Sequence, residues 1–298
     1  MTLVEVGGTS YYMDDKLKQR WDKIKNGYLK KYDEDRCYVV DGRERCGKSL
    51  FTIQQASYID PTIITDLDRI CFSPEEFINA IRKTESTADQ TKCVIFDEAF
   101  RGLSSRAALS KINKKIIQAL MEMGQKNLVV FIVLPSFFLL DIYPAMLRSN
   151  ALFHIKKDIK DRRRSYTAYN FSKKAKLYDY GVKKGWGYKI PSNFKGRYYN
   201  KYPGGDEFEA AYRKKKKDSI EVFEYEDAKA AEEGKFQKYA NTLGANLSVF
   251  LSKHHNIQLR DQEKLFREAL NVEWAYTYLS KIVGVARKNN QILELLNS

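Results

Sequence analysis

The chain has 298 residues, 43% of them hydrophobic, with 52 Lys/Arg against 38 Asp/Glu and a formal net charge of +14. That length and apolar content can bury a large core and lead us to expect more than one domain. Four cysteines, Cys37, Cys46, Cys71 and Cys93, lack C-x-x-C spacing, which argues against a disulfide framework or zinc site and fits a reducing, cytoplasmic compartment. No secretory leader is expected, and the longest apolar run, 128–142, is broken by Pro135, Ser136 and Asp141. It falls short of the ~20 residues that span a bilayer, so no membrane insertion is expected.

In chain order, Asp14 to Lys31 reads as an amphipathic helix with Leu17, Trp21, Ile24 and Leu29 on one side. Cys37-Tyr38-Val39-Val40 is the first core strand. It runs into Gly42-Arg43-Glu44-Arg45-Cys46-Gly47-Lys48-Ser49, a complete G-x-x-x-x-G-K-[ST] pattern, and a helical stretch from Leu50 to Tyr58 follows. In a loop of this kind the backbone N–H groups and the helix N-terminus converge on phosphate. Lys48 is expected on the β- and γ-phosphates of ATP, and the Ser49 hydroxyl on Mg²⁺. Arg43 and Arg45 add two charges where many such loops carry small residues. Pro61-Thr62-Ile63-Ile64 reads as a second strand, and Ser73-Pro74-Glu75-Glu76 starts a helix, with Ser as cap and Glu three residues on.

Cys93-Val94-Ile95-Phe96 then ends in Asp97-Glu98. An Asp at the end of such a strand can hold Mg²⁺ through water, and the adjacent Glu can polarise an attacking water. This pair favours hydrolysis over transfer to a bound hydroxyl. A helix over Ser110 to Gly124 leads to Leu128–Leu134, unbroken and apolar as in a strand buried on both faces. Ser136, just beyond it, is a candidate γ-phosphate sensor, although a Ser in a strand-ending turn needs no function. Ala151 to Ile155 is expected to be the last core strand. Arg148 before it is a candidate arginine finger, with a salt bridge as the alternative reading; Arg101 and Arg106 are weaker candidates.

The set Gly42–Ser49, Asp97-Glu98, an apolar strand ending in Pro135-Ser136, and Arg148 before a final strand resembles a P-loop ATPase of the additional-strand, catalytic-Glu division. Within it, residues 35–156 resemble the FtsK/HerA superfamily of DNA-pumping motors, and more closely the zonula-occludens-toxin-like ATPases of phages and archaeal mobile elements. The resemblance implies an α/β fold: a RecA-like P-loop NTPase core with a parallel sheet flanked by helices. It also implies ATP hydrolysis at subunit interfaces of a homo-oligomer, often hexameric, that moves or packages DNA; for a viral protein the compartment is the host cytoplasm. Two departures stand out. FtsK/HerA motors commonly carry Gln where this chain has Ser136, and filamentous-phage members have a membrane segment.

Between Lys156 and Lys217 lie 20 Lys/Arg and 6 Asp/Glu, a surplus equal to that of the whole chain. Tyrosines and other aromatics interleave with these cations, and glycines break the stretch into short runs. Such a composition suits sequence-tolerant nucleic-acid binding, with a solvated face over ordinary core tyrosines as the alternative; the resemblance implies DNA as the partner, double-stranded favoured. The expected organisation is an ATPase core with its N-terminal helix over 1–156, a small basic aromatic-rich β element over 157–218, and a helical region over 219–298. In that last region 279–285 resembles the turn of a helix-turn-helix, and His254-His255 reads as a solvated pair. The function this supports is an ATP-hydrolysing DNA translocase or packaging motor of a virus or mobile element. An ATP-dependent switch or loader for a replication or recombination protein is one alternative. A nucleic-acid-binding module with a structural nucleotide site is the other.

Overall fold

The computed structural model describes residues 1–99, 111–158, 160–183, 185, 187–222, 247–248, 250–251 and 257–270. The chain divides into two units, Met1–Ser219 and Ile220–Ser298. In the second, helix Leu259–Leu270 is tied to Ser248, whose carbonyl accepts from Gln262 Nε2 at 3.2 Å. The expected helix-turn-helix turn and the His254-His255 pair lie outside the described residues, as do Arg101 and Arg106.

In the first unit a hairpin, β1 (Thr2–Val6) and β2 (Thr9–Met13), precedes a sheet of seven strands among the described residues. These are β3 (Arg36–Gly42), β4 (Ile70–Cys71), β5 (Cys93–Phe96), β6 (Val129–Leu134), β7 (Ala151–Lys157), β8 (Arg164–Asn170) and β9 (Phe194–Tyr198), in the order β4-β5-β6-β3-β7-β8-β9. The first five in that order are mutually parallel, so their C-terminal ends share one edge. The fold is mixed α/β, with helices on both faces of a mostly parallel sheet.

The apolar runs explain the sheet's centre. All six residues of β6 are buried, and alternate residues feed opposite faces. Val129, Phe131 and Val133 join one cluster with Trp21, Phe51 and Phe153. Val130, Ile132 and Leu134 join the other with Phe77, Leu120 and Leu152. A strand covered on both faces has no polar side to show, so it reads as continuous.

Several local expectations are corrected. The N-terminal helix spans Asp15–Ile24 and breaks at Asn26 and Gly27, both left-handed (φ 59° and 75°), before one more turn, Tyr28–Lys31. A Cβ on Gly27 would sit 1.7 Å from the Ala88 carbonyl oxygen, so the close approach of that loop requires glycine. Pro61–Ile64 is a 3₁₀ turn, not a strand: the Asp60 carboxylate accepts from Thr62 N, and Pro61 occupies the first helical position. Ser73 does cap helix Pro74–Lys83, accepting from Glu76 N at 3.2 Å, while Glu76 reaches back to Phe72 N at 2.8 Å.

The larger correction concerns 157–218. β7 is not the last strand, because β8 returns antiparallel from Lys157↔Arg164 and β9 follows it. These strands extend the same sheet, and Tyr166, Tyr169, Tyr198 and Tyr212 are core residues, 1–5% exposed. They offer no stacking face to a base. Tyr199 and Phe171 remain exposed.

Candidate nucleotide site

The loop after β3 is shaped by its glycines. Gly42 has φ 145°, and a Cβ there would lie 2.4 Å from the Ile155 carbonyl oxygen of β7. Gly47 caps helix Lys48–Ile59 with φ 98°, and Arg45 is also left-handed at φ 57°. Between them the loop folds over the helix N-terminus. Arg43, Glu44 and Arg45 point to solvent, whereas Cys46 is buried, and that burial raises its thiol pKa despite Lys48 nearby. Lys48 arches back to donate to the carbonyls of Gly42 at 2.8 Å and Arg43 at 3.1 Å, which holds its ammonium over the loop. Ser49 follows on the first turn.

One contact the sequence did not disclose supports this loop. The Tyr198 hydroxyl of β9 lies 3.0 Å from the Cys46 carbonyl and 3.1 Å from that of Gly47. A Cβ on Gly47 would meet that hydroxyl at 2.8 Å and the Arg164 side chain at 3.2 Å. The basic strands therefore buttress the loop from the side.

The acid pair ends β5 at the same edge. Asp97 N donates to Cys71 O at 2.8 Å and Ala99 N to Val133 O at 3.0 Å, which fixes the turn, while Glu98 adopts φ 65°. Asp97 is 3% exposed and Glu98 43%. Both are engaged by the helix over 205–222: Tyr212 donates to Asp97 Oδ2 at 2.8 Å, and Lys216 Nζ lies 3.1 Å from that oxygen and 3.0 Å from Glu98 Oε1. Burial, then Asp97, pushes the Tyr212 phenol up. Burial works against the Lys216 charge, yet Asp97 and Glu98 hold its pKa above the ordinary lysine value.

Ser136 sits at the end of β6, between the ends of the loop strand and the acid strand, with extended backbone (φ −151°, ψ 130°). It is half-buried. Arg148 is placed elsewhere. Its Nε donates to Leu120 O at 2.7 Å and its guanidinium bonds both oxygens of Asp35. Asp35 precedes β3 and Arg148 precedes β7, so the pair lies at the sheet edge opposite the loop. The structure places Arg148 in a largely buried ion pair, the salt-bridge alternative of its sequence reading.

Cations gather beside the loop at the C-terminal edge. The β7–β8 turn and β9 line a cavity of about 680 Å³ with Lys157, Arg162, Arg163, Arg164 and Arg197, together with Asp161, Tyr198, Tyr199 and Asn200.

The residues present fit a nucleotide and Mg²⁺. The glycine cradle at 42 and 47 is one a Cβ would fill. No group of three or more His, Cys, Asp and Glu is assembled among the described residues; Mg²⁺ commonly takes one or two protein oxygens with the rest from phosphate and water, which Ser49 and Asp97 could supply.

The order β4-β5-β6-β3-β7, with β6 as an additional strand between the loop strand and the acid strand, is that of a RecA-like P-loop core. No protein-family model and no curated protein matches the chain. Among solved structures it is similar to the N-terminal domain of zonular occludens toxin from Neisseria meningitidis, at 16% identity over 46% of this chain and 84% of that one, TM-score 0.29. It is also similar to the genome packaging NTPase B204 from Sulfolobus turreted icosahedral virus 2 in complex with AMP, at 11% identity over 48% of this chain and 95% of that one, TM-score 0.32. B204, the DNA-packaging ATPase from Sulfolobus turreted icosahedral virus, matches at 11% identity over 47% and 94%, TM-score 0.33. These likenesses assign no role to any residue of this chain. Among the described residues no helix is long and apolar enough to cross a membrane.

Proposed function

We infer that this chain is an ATPase that couples hydrolysis to movement of DNA, as a translocase or packaging motor acting in a homo-oligomer. The observation that carries this reading is the placement of three features on one edge of the sheet: the loop Gly42–Ser49, the Asp97-Glu98 pair, and the cavity lined by Lys157, Arg162, Arg163, Arg164 and Arg197. Lys48 binds the β- and γ-phosphates, Ser49 and Asp97 hold Mg²⁺, and Glu98 polarises the attacking water. Bound Mg²⁺ supplies neutralisation of charge on the transferring phosphoryl group. Ser136 reports the γ-phosphate to the turn after β6.

The cavity beside the loop suits a chain of phosphates, because its cations are spaced along a strand and a turn and Arg162, Arg163 and Arg197 are exposed. Tyr198 and Arg164 belong both to that cavity and to the wall of the phosphate loop, which gives the two sites a shared side. Hydrolysis should therefore rise on adding DNA, and the stimulation should fall steeply with salt. Replacing Arg162 and Arg163 together by Ala should lower the slope of log affinity against log salt by about 2. Stimulation that is independent of salt would remove this cavity as the DNA site.

A further inference from the structure

The helix over 205–222 enters the catalytic edge from outside the parallel core and engages both acids. Lys216 bridges Asp97 Oδ2 (3.1 Å) and Glu98 Oε1 (3.0 Å), and Tyr212 donates to the same Asp97 oxygen at 2.8 Å. An ammonium there takes the carboxylate oxygen that Mg²⁺ would draw upon. It also holds the Glu98 oxygen that would accept a proton from water. A base ion-paired in this way is restrained from proton abstraction.

The contact is built rather than incidental. Phe208 and Tyr212 are buried, with Tyr212 packed on Phe72 at 5.7 Å and on Tyr202 at 6.0 Å. Lys215 Nζ donates to the carbonyls of Leu67 at 2.8 Å and Ile70 at 3.0 Å. The helix is entered through Gly204 and Gly205, both left-handed at φ 79° and 71°, a pair that can absorb a change of direction at low cost. On its outer side Arg213 and Lys214 are exposed, so a polyanion would meet the same helix whose Lys216 lies on the acids.

We propose that the helix over 205–222 is an autoinhibitory latch: Lys216 and Tyr212 hold Asp97 and Glu98 closed, and Mg²⁺-nucleotide must displace Lys216 before the site can work. This rests on the nucleotide-binding reading above. The latch makes Mg²⁺ and Lys216 competitors for one carboxylate. Metal-free nucleotide, held by the loop alone, is indifferent to it.

The test compares wild type with Lys216→Ala, and with Tyr212→Phe, which keeps the packing of the ring. The dissociation constant of a fluorescent non-hydrolysable ATP analogue is measured in EDTA and in Mg²⁺. The latch predicts equal affinities in EDTA and, in Mg²⁺, a gain in Lys216→Ala about tenfold larger than in wild type, with a smaller gain in Tyr212→Phe. It also predicts that Mg²⁺-analogue speeds tryptic cleavage at Arg213–Lys217 in wild type, and that hydrolysis without DNA rises in Lys216→Ala. An equal Mg²⁺ gain in all three proteins, with nucleotide still bound, would overturn the latch and leave the nucleotide site standing. Reduced hydrolysis in Lys216→Ala would overturn it in favour of a catalytic lysine. No nucleotide binding in any of the three would overturn both readings.

Discussion

The imidazole Nδ1 of His154 lies 2.9 Å from Oδ1 of Asp41, directly behind the phosphate loop. Asp41 is fully buried on β3, one residue before Gly42, and its other oxygen accepts from Phe137 N at 2.8 Å and from the Tyr188 hydroxyl. The His154 and Tyr188 rings stack at 3.6 Å. One carboxylate thus joins the loop strand, β7 and the turn that carries Ser136. Removing one partner from a buried charged network costs more than the network's net worth, since the others are left unsatisfied. Asp41→Ala should lower unfolding free energy by about 3 kcal/mol or more, measured by urea denaturation. A loss under about 1 kcal/mol would mean the surrounding donors find water instead.

Arg148 and Asp35 give a second stability prediction and a test of the arginine-finger reading. The pair is 15% and 17% exposed. Arg148→Ala should cost about 2–3 kcal/mol. Hydrolysis per folded molecule should change by less than about threefold, against the 10³-fold or greater loss expected on removing an arginine finger. A loss of that size with the fold intact would restore the finger.

At the loop and acid pair the expected outcomes differ in kind. Lys48→Ala should abolish hydrolysis and weaken nucleotide binding. Glu98→Gln should leave nucleotide bound and slow its cleavage by about 10²-fold or more. Single-turnover hydrolysis beside a filter-binding measurement separates the two, and a Glu98→Gln protein with full turnover would remove Glu98 from the water-activating role.

Much of this arrangement is written locally. The loop is a contiguous eight-residue pattern, the buried strands are continuous apolar runs, and the Ser73 cap lies within four residues of its partner. What was not legible depends on distant pairing. Nothing near Tyr198 reveals that its hydroxyl reaches the carbonyls of Cys46 and Gly47, and Lys216 meets Asp97 across 119 residues. The tyrosines of the basic stretch looked available to bases because composition does not distinguish a core ring from a surface one; only the pairing of β8 with β7 decides it. Pro61–Ile64 is a different case. Its β-branched residues suggested a strand, but Asp60 before Pro61 is a cap-and-first-turn signal, and that local chemistry prevailed.

The buried thiols and phenols set an alkaline limit to stability. Burial pushes Cys37 up to about 12 from its ordinary 9.0, and raises Cys71, Cys93, Tyr166 and Tyr198 in the same direction. A group whose folded pKa is raised contributes stability that is intact below its unfolded pKa and is lost as pH climbs towards the folded value. Lys174 opposes this, since burial lowers it to about 8 and its deprotonation relieves a penalty above that pH. The thiols and phenols outnumber it, so the urea midpoint should fall progressively from pH 9 to 12. A midpoint that rises over that range would contradict the burial of these groups.

The central claim is that hydrolysis at Gly42–Ser49 and Asp97-Glu98 drives movement along DNA. It is tested most directly by the ATPase rate of the full chain on double-stranded DNA of increasing length, at constant total nucleotide concentration, with the oligomeric state measured in the same samples. The account predicts a rate that rises with length before levelling off, from an oligomer. A rate indifferent to DNA length, or one unmoved by DNA altogether, would contradict it.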